Sequence, residues 1–367
     1  MFITIIFYLY LASAFILYLY LLIYLIRIST IKREQNDDSK PTSVVICARN
    51  ELENLKELLP ILYQQTHPDY EIIVVDDRSG DDTYDFLLEE VKHQPKLRYV
   101  VIDETPPHVN GKKYGLTLGI KAAKKENILL IDADCRPKTS YWIDEMTSVY
   151  DNSTIFVLGY SQYLPDDTFL NLFIRFETLF TGIQYISAAI GRKPYMGVGR
   201  NLSYKKPFFL EKKGFNKILK ITGGDDDLFV NEHATKSNTK VVVGEDVLVY
   251  SIAKKNLKEY IRQKVRHLAV SRRYKFKHKF RLGLYPIMKM VFWITFVVLI
   301  SNLFMPYQII LGYLLLLVFN IILFQKASAK FGDKFPVAWL PILDFLHLFY
   351  FLYIGGTAFL TKKVKWK

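Results

Sequence analysis

The chain begins with a long apolar segment that carries no charge. Residues 4–26 include no Asp, Glu, Lys or Arg, and a helix of this length can cross a hydrocarbon core of about 30 Å. Arg27, Lys32 and Arg33 follow it, and no basic residue precedes it. A secretory signal has a basic region before a shorter apolar run. The pattern therefore favours a retained transmembrane anchor at residues 1–27, with its basic flank in the cytoplasm.

Two further apolar runs predict a transmembrane hairpin at residues 285–326. Residues 286–305 contain one charged side chain, Lys289, and residues 308–324 contain none. Only residues 306–307 separate the two runs, so we expect a tight link between neighbouring antiparallel helices.

A last apolar run, residues 336–360, carries Asp344 and His347 and is followed by a basic tail at residues 361–367. If this run crosses the membrane, the tail ends on the outside, against the positive-inside rule. A re-entrant or interfacial helix would keep the tail in the cytoplasm. The sequence is compatible with both arrangements.

Between the spans, residues 41–250 alternate between short β-rich runs and helical patterns, and no run is long enough to cross a membrane. Strands are predicted at residues 43–48, 70–77, 97–102 and 127–134, and helices at residues 53–65, 83–93 and 113–125. Buried strands that alternate with helices indicate an α/β domain with a mostly parallel sheet. In such sheets, ligands bind beyond the carboxyl ends of the strands.

Acidic residues collect at those carboxyl ends. Asp76 and Asp77 end the second predicted strand, and Asp132 and Asp134 end the fourth, where alternate side chains point the same way. Residues 225–227 add three more in a glycine-containing loop. A single pair would be explained by helix capping or a turn. Three clusters repel one another unless a cation joins them, and oxygen ligands suit Mg²⁺ or Mn²⁺, so the pattern favours a metal–diphosphate site.

Spacing excludes two other kinds of phosphate-binding loop. Residues 111–113 read Gly-Lys-Lys, without the upstream glycine and the Ser or Thr of a Walker A loop. No G-x-G-x-x-G follows the first strand, where a dinucleotide-binding fold would place it.

Six segments in order resemble the membrane-bound inverting glycosyltransferases of family 2, which have a GT-A fold. They are PTSVVICARNE, VVDDRSGDDT, NGKKYGLTLGIKAA, IDADC, GGDDDLF and RQKVRHLAVSRR. The fourth resembles the metal-binding D-x-D of the family, the fifth its acidic catalytic motif and the sixth its Q-x-x-R-W motif. The resemblance covers nearly the whole chain.

The resemblance implies transfer of a sugar, with inversion, from a nucleoside diphosphate donor that is UDP-linked in the favoured interpretation. It implies that Asp132 and Asp134 hold Mg²⁺ or Mn²⁺ at the diphosphate leaving group. The Asp225-Asp226 pair would correspond to a Glu-Asp of the family, with Asp226 preferred as the base and Asp225 as the alternative.

The resemblance also implies substrate-binding residues, which are Arg49, Glu51, Asp76, Asp77, Lys112, Asn201, Gln263, Arg266 and His267. Other interpretations of some of them stay open. Lys112 would also suit a solvated loop, and Asn201 a structural turn. Gln263 and Arg266 lie at i and i+3, which also suits a helix at lipid headgroups. His267 stands where the family usually has tryptophan.

The predicted function is single transfer to a lipid or glycan acceptor at the membrane. Three or four spans offer little for a translocation channel, which disfavours the alternative of a processive polysaccharide synthase. A catalytically silent scaffold that binds nucleotide sugars is a second alternative, although the D-x-D and base segments are both present. We expect an integral, multi-pass protein of a bacterial cell membrane with its catalytic domain in the cytoplasm.

The formal net charge of +13 would suggest nucleic-acid binding if it were spread over the chain. However, residues 254–281 hold 12 Lys and Arg against one acid, and residues 361–367 add four lysines. The rest of the chain is nearly neutral. Basic segments beside membrane spans bind anionic headgroups, at about 1 kcal/mol per cation. Residues 251–284 are therefore predicted to be a basic interfacial region, and nucleic acid is not an expected partner.

Overall fold

The computed structural model describes residues 1–32 and 39–360. Within them, the strands are β1 (Thr42–Ala48), β2 (Tyr70–Asp77), β3 (Leu97–Ile102), β4 (Asn127–Leu130), β5 (Cys135–Pro137), β6 (Phe156–Leu158), β7 (Ser161–Tyr163), β8 (Leu202–Lys205), β9 (Thr239–Val241) and β10 (Val249–Ser251). The helices are α1 (Phe2–Ser29), α2 (Leu52–Tyr63), α3 (Thr83–His93), α4 (Gly111–Ala122), α5 (Trp142–Thr147), α6 (Phe169–Ile190), α7 (Lys206–Glu211), α8 (Asp227–His233), α9 (Leu257–Ser271), α10 (Phe276–Ser301), α11 (Pro306–Lys330) and α12 (Leu340–Leu360). Arg33 and the basic tail at residues 361–367 lie outside the described residues.

The central sheet has seven strands in the order β3-β2-β1-β4-β8-β6-β9. All pairs are parallel except those of β8, which runs antiparallel to β4 and β6. A smaller sheet has the order β5-β10-β7. The prediction of an α/β domain with a mostly parallel sheet is therefore confirmed.

The sheet is buried on both faces, as its continuous apolar strands predict. On one face, Val44 and Ile46 of β1 pack with the buried leucines of α2. On the other face, Val45 packs with Leu116 and Ile120 of α4. Gly119 lets α4 approach closely, since a Cβ there would lie 2.7 Å from the Val45 side chain.

The fourth strand is shorter than predicted. β4 ends at Leu130, which pairs with Val45 of β1, and β5 begins only at Cys135. Asp132 and Asp134 therefore lie in a turn between two sheets and not in one extended strand. This corrects the expectation that both side chains project from a strand in the same direction.

Helix α6 joins the α/β domain to the apolar helices, and the sequence pattern did not predict it. Most of its 22 residues are buried. Phe176 and Phe180 stack on Phe324 of α11, and Ser187 accepts a hydrogen bond from Arg27 at the end of α1. Its buried positions, which include Arg175 and Glu177, are spread around the helix, so no simple amphipathic period marks it.

Within the part of the chain that the structure describes, four helices are long and apolar enough to cross a membrane, namely α1, α10, α11 and a segment at Val337–Thr357. The turn between α10 and α11 lies at residues 302–305, which differs from the predicted link at residues 306–307. Pro306 is the first residue of α11, a position where proline is favoured because its missing N–H has no intrahelical partner.

Candidate active site

Lys112 joins the acidic clusters. It lies in the first turn of α4, where the Asn110 side chain caps the helix by accepting from the Lys113 N–H. Its Nζ lies 2.7 Å from Asp132 Oδ1 and 3.5 Å from Asp225 Oδ2. Burial by itself would lower the pKa of Lys112, but these two carboxylates outweigh burial and raise the pKa well above its usual value. Lys112 is therefore an ion-paired residue of the site and not a solvated loop lysine.

Lys113 holds the third acidic cluster in place, and no motif assigned it that task. Its side chain is fully buried, and its Nζ donates to the carbonyl oxygens of Ile221 and Gly223. Gly223 and Gly224 have φ values of +80° and +82°, which favour glycine. The result is a tight loop that places the next residue, Asp225, beside Lys112.

Asp225 and Asp226, the first two acids of that loop, have pKa values that are shifted in opposite directions. Asp225 is buried, but Lys112 and Lys113 together outweigh burial and lower its pKa. Asp226 keeps part of its surface exposed. Its Oδ2 accepts from the Gly199 N–H and its Oδ1 from the Asp227 N–H, both at 2.7 Å. Burial and the adjacent Asp225 charge raise the pKa of Asp226. A fixed carboxylate with a raised pKa suits a general base.

Asp227 lies on the other side of Asp226 and supports the loop. The Tyr274 hydroxyl donates to its Oδ2 at 2.6 Å. Burial and the Asp226 charge raise the pKa of Asp227 to about 8. At neutral pH this carboxyl group is therefore mostly protonated and does not add to the negative charge of the site.

Asp132 and Asp134 fit the requirements of a divalent cation. Burial and the Asp132 charge raise the pKa of Asp134, which shows that negative charge here is incompletely balanced. Within residues 1–32 and 39–360, no group of three His, Cys, Asp or Glu side chains could hold a metal by itself. Mg²⁺ commonly takes one or two carboxylates and completes its shell with water and substrate phosphates. Asp132 is joined to the basic cleft through its ion pair with Lys112, so a pair of carboxylates here would suit that mode.

The cleft beside Lys112 has a volume of about 360 Å³ and is rich in cations. Its lining includes Arg49, Asp77, Arg78, His108, Lys112 and Lys220. Asp77 is held by Arg78, whose Nε and Nη2 both lie 2.9 Å from Oδ1. The basic lining favours an anionic ligand, and Asp77 offers acceptor oxygens for a nucleoside.

Two other acids named from the sequence, Asp76 and Glu51, have different surroundings. Asp76 accepts from the Ser79 N–H at 3.1 Å and has the turn role of the simpler interpretation. Glu51 accepts from the Asn54 side chain at 2.6 Å. Burial raises the pKa of Glu51, and the charges of Asp134 and Asp132 add to that effect, so Glu51 lies near the candidate metal ligands.

Helix α9 brings the Q-x-x-R segment to the same site. Burial lowers the pKa of Arg266, while the Asp225, Asp132 and Asp226 charges oppose that shift, so its guanidinium lies within electrostatic range of these carboxylates. Gln263 lies one turn earlier and is half-buried. His267 is the next residue along α9 and is exposed, and its electrostatic neighbours include Arg266 and Lys112.

Asn201 does not line the cleft. It is fully buried, its Oδ1 accepts from Trp142 Nε1 at 3.0 Å, and its Nδ2 donates to the carbonyl oxygens of Tyr160 and Val247. The structure therefore supports the structural alternative and corrects the expectation of an acceptor contact. Its neighbour Arg200 packs over the Tyr163 ring at 4.5 Å and is a charge neighbour of Asp134. No motif identified Arg200.

Comparisons with known proteins bear on the family and the fold. Residues 43–209 match the family model described as Glycosyl transferase family 2. The chain is 38% identical over 94 residues to poly(ribitol-phosphate) beta-glucosyltransferase of Bacillus spizizenii, a match that covers 25% of this chain and 14% of that protein. It is 26% identical over 134 residues to the putative teichuronic acid biosynthesis glycosyltransferase TuaG of Bacillus subtilis, covering 36% and 52% respectively. The matches therefore span between a seventh and about half of these relatives.

Among solved structures, the chain resembles the mannosyltransferase PcManGT of Pyrobaculum calidifontis, determined in complex with GDP-Man and Mn²⁺. The TM-score is 0.61 at 17% identity, with 99% of this chain and 100% of that chain covered. At this identity the likeness shows the fold alone, which is GT-A-like.

Proposed function

The chain carries a family 2 glycosyltransferase domain at residues 43–209, and from this premise we propose that it transfers a sugar from a nucleoside diphosphate donor to an envelope glycan or lipid acceptor. The observation that carries the proposal is the ion bridge of Lys112 between Asp132 and Asp225 at the edge of a basic cleft. The names of the two Bacillus relatives support an envelope glycan as the acceptor class.

We propose that the cleft binds the nucleoside diphosphate. Arg49, Arg78 and Lys220 surround it with positive charge, which attracts a diphosphate. Asp77 would accept from the base or ribose, and Glu51 would support the sugar side of the site. A UDP-linked donor is the first candidate.

Asp132 and Asp134 would hold Mg²⁺ or Mn²⁺ at the diphosphate. When bound, this cation supplies Lewis-acid stabilisation of the leaving group. The protein adds cations of its own, because Lys112 is ion-paired with the carboxylate cluster and Arg266 lies within its electrostatic range. Preorganised positive charge where negative charge develops is a large term in enzymatic rate enhancement.

Asp226 would accept the proton of the acceptor hydroxyl. Two backbone N–H groups hold its carboxylate in one orientation, and its raised pKa makes it more basic than Asp225, whose charge is stabilised by lysine. One base is enough for inverting displacement, because a diphosphate leaves without needing a proton. Asp225 would position Lys112.

The test uses full-length protein in membranes with a panel of labelled UDP- and GDP-sugars and lipid or glycan acceptors extracted from the source membranes. Transfer that is lost in the Asp226→Asn variant supports the proposal. If the wild-type protein binds the donor but neither transfers its sugar nor hydrolyses it, a nucleotide-sugar-binding scaffold would be favoured instead. Product size by chromatography separates single transfer from processive synthesis.

A further inference from the structure

Three of the four apolar helices pack side by side along their lengths. The Tyr10 hydroxyl near the start of α1 donates to the Ile309 carbonyl near the start of α11, and Lys330 at the end of α11 donates to the Ile31 carbonyl just after α1. The Tyr20 hydroxyl of α1 donates to the Arg281 carbonyl near the start of α10. These contacts define an axis for α1, α10 and α11, with the α/β domain at one end.

Helix α12 begins inside this bundle. Asp344 Oδ1 lies 2.7 Å from Lys289 Nζ of α10 and accepts from the Asn320 amide of α11 at 3.2 Å. The Phe345 ring packs at 5.0 Å from that of Trp293. An ion pair with an added amide satisfies the charges of this otherwise apolar region, and it anchors the first turn of α12 to the middle of α10.

From there, α12 runs towards the domain and not away from it. One turn later, His347 packs against Phe176 and Phe180 of α6, at 5.1 and 5.4 Å between ring centroids. Tyr350 then packs against Phe173 of the same helix at 5.6 Å. Helix α6 lies across the domain ends of α1 and α11, so these contacts keep α12 at that level.

The second half of α12 lies against α9, the helix that carries Arg266. The Tyr350 ring stacks on Tyr260 at 6.2 Å, and Ile354 is buried in a small cluster with Val265. A helix that crossed along the bundle axis would rise by 1.5 Å per residue, or about 21 Å between residues 340 and 354. Ile354 instead packs with Val265, the residue next to Arg266 of the candidate active site.

A polar node reinforces the contact among α6, α9 and α12. Lys264 of α9 forms an ion pair with Glu177 of α6, and both side chains are almost buried. The Tyr350 hydroxyl of α12 donates to the other Glu177 oxygen at 3.4 Å. These contacts hold α12 beside α6 and α9, because Tyr350 could not reach Glu177 of α6 if α12 ran deeper into the membrane.

The opposite face of α12 is exposed and apolar. Its residues are Ile342, Phe345, Phe349, Leu352 and Tyr353, each between 39% and 60% exposed. This face continues the exposed apolar surface of α10 and α11, while the preceding segment at residues 272–281 is basic. An apolar face beside a row of cations matches the boundary between hydrocarbon and anionic headgroups.

We propose that α12 does not cross the membrane: it lies in the membrane interface on the same side as the α/β domain, with one face in lipid and the other against α9. The chain then enters α12 from the domain end of α11 and leaves it on the domain side. This is the arrangement that the positive-inside rule favours for the basic sequence of residues 361–367. If the proposed function holds, it also places Arg266 and Asp226 within reach of an acceptor that is embedded in the bilayer.

The test is a labelling experiment with a membrane-impermeant thiol reagent on intact cells and on inverted vesicles. Three full-length variants are compared, namely Lys255→Cys as a marker for the domain side, Leu303→Cys in the α10–α11 turn as a marker for the opposite side, and a cysteine in a short C-terminal tag. Lys255 and Leu303 are both exposed. Wild-type protein gives the background of Cys47 and Cys135.

We expect the tag cysteine to be labelled in the same preparation as Lys255→Cys and protected where Leu303→Cys is labelled. Labelling of the tag together with Leu303→Cys would show that α12 crosses and would overturn the proposal. The readout requires no sugar transfer, so failure of the proposed function would leave this result unchanged.

Discussion

The assignment of the base is tested by exchanging Asp226 and Asp225 separately for asparagine. The two residues are neighbours in one loop, so each variant is a control for the other. Asp226 is bonded to backbone N–H groups and keeps a raised pKa, whereas Asp225 is bonded to Lys112 and has a lowered pKa. If basicity decides the role, only Asp226→Asn removes the proton acceptor.

The structure predicts effects of different size. A general base contributes about 10²- to 10⁴-fold to the rate, so kcat of Asp226→Asn should fall by that amount. An amide can accept from only one of the two N–H groups that Asp226 now satisfies, and the lost bond should cost about 1–3 kcal/mol of stability. Asp225→Asn loses a 3.5 Å ion pair, but Lys112 keeps Asp132 at 2.7 Å. Asp225→Asn should therefore lose about 1–2 kcal/mol of stability, which is roughly a five- to thirtyfold change in the folded-to-unfolded ratio, and its kcat should fall less than that of Asp226→Asn.

The assay measures initial rates of sugar transfer as a function of pH, with thermal unfolding in detergent as a check on folding. Because the Asp225 charge raises the pKa of Asp226, Asp225→Asn should move the acidic limb of kcat/KM to lower pH. Asp226→Asn should lose that limb together with activity. Near-wild-type transfer by a folded Asp226→Asn variant, with collapse of Asp225→Asn, would refute the reasoning and make Asp225 the base.

Four further outcomes are expected. Lys112→Met should lower kcat by about 10²- to 10³-fold, since it removes a preorganised cation beside the leaving group, and unchanged kcat in steady-state assays would contradict that role. Chelation by EDTA should abolish transfer and Mn²⁺ or Mg²⁺ should restore it; full activity in chelator would argue against a metal at Asp132 and Asp134. The pKa of Asp227 in the folded state is about 8, above its unfolded value, so its stabilising contribution is present at low pH and is lost as pH rises towards 8. Asp227→Asn should therefore lose less thermal stability than wild type between pH 5 and pH 9. Parallel curves of unfolding temperature against pH for the two proteins would contradict the raised pKa. Asn201→Ala should lower the unfolding temperature by removing buried hydrogen bonds that together contribute about 3 kcal/mol. The KM values for donor and acceptor should both stay unchanged, which a direct contact with either substrate would not allow.

The sequence already contained most of the α/β architecture. Strands β1 and β2 are recognisable because each is a continuous apolar run bounded by polar residues, and α2 because its leucines recur at helical spacing. Such signals depend on residues close in the chain. Helix α6 and the early end of β4 escaped prediction because contacts with distant segments determine them.

The candidate site also has features that the sequence predicts and features that only the fold determines. The acidic clusters and Lys112 follow from motifs with fixed spacing, so their positions could be named in advance. Their electrostatic states could not, because Lys112 and Asp225 are more than 100 residues apart and their pairing depends on the loop held by Lys113. Arg200 belongs to no recognised motif, and its place beside Asp134 becomes visible only when β8 is paired with β4.

By itself, the sequence determined four apolar helices, an α/β domain and the order of the acidic motifs, since hydrophobic periodicity and local spacing are properties of neighbouring residues. Only the tertiary structure decided that Asn201 is a core residue and not an acceptor contact. It also supplies the contacts on which the proposed course of α12 rests, because length and hydropathy are the same for a helix that crosses a bilayer and one that lies along it. The difference lies in contacts with α6 and α9, and packing energy between distant segments is not encoded in any local pattern.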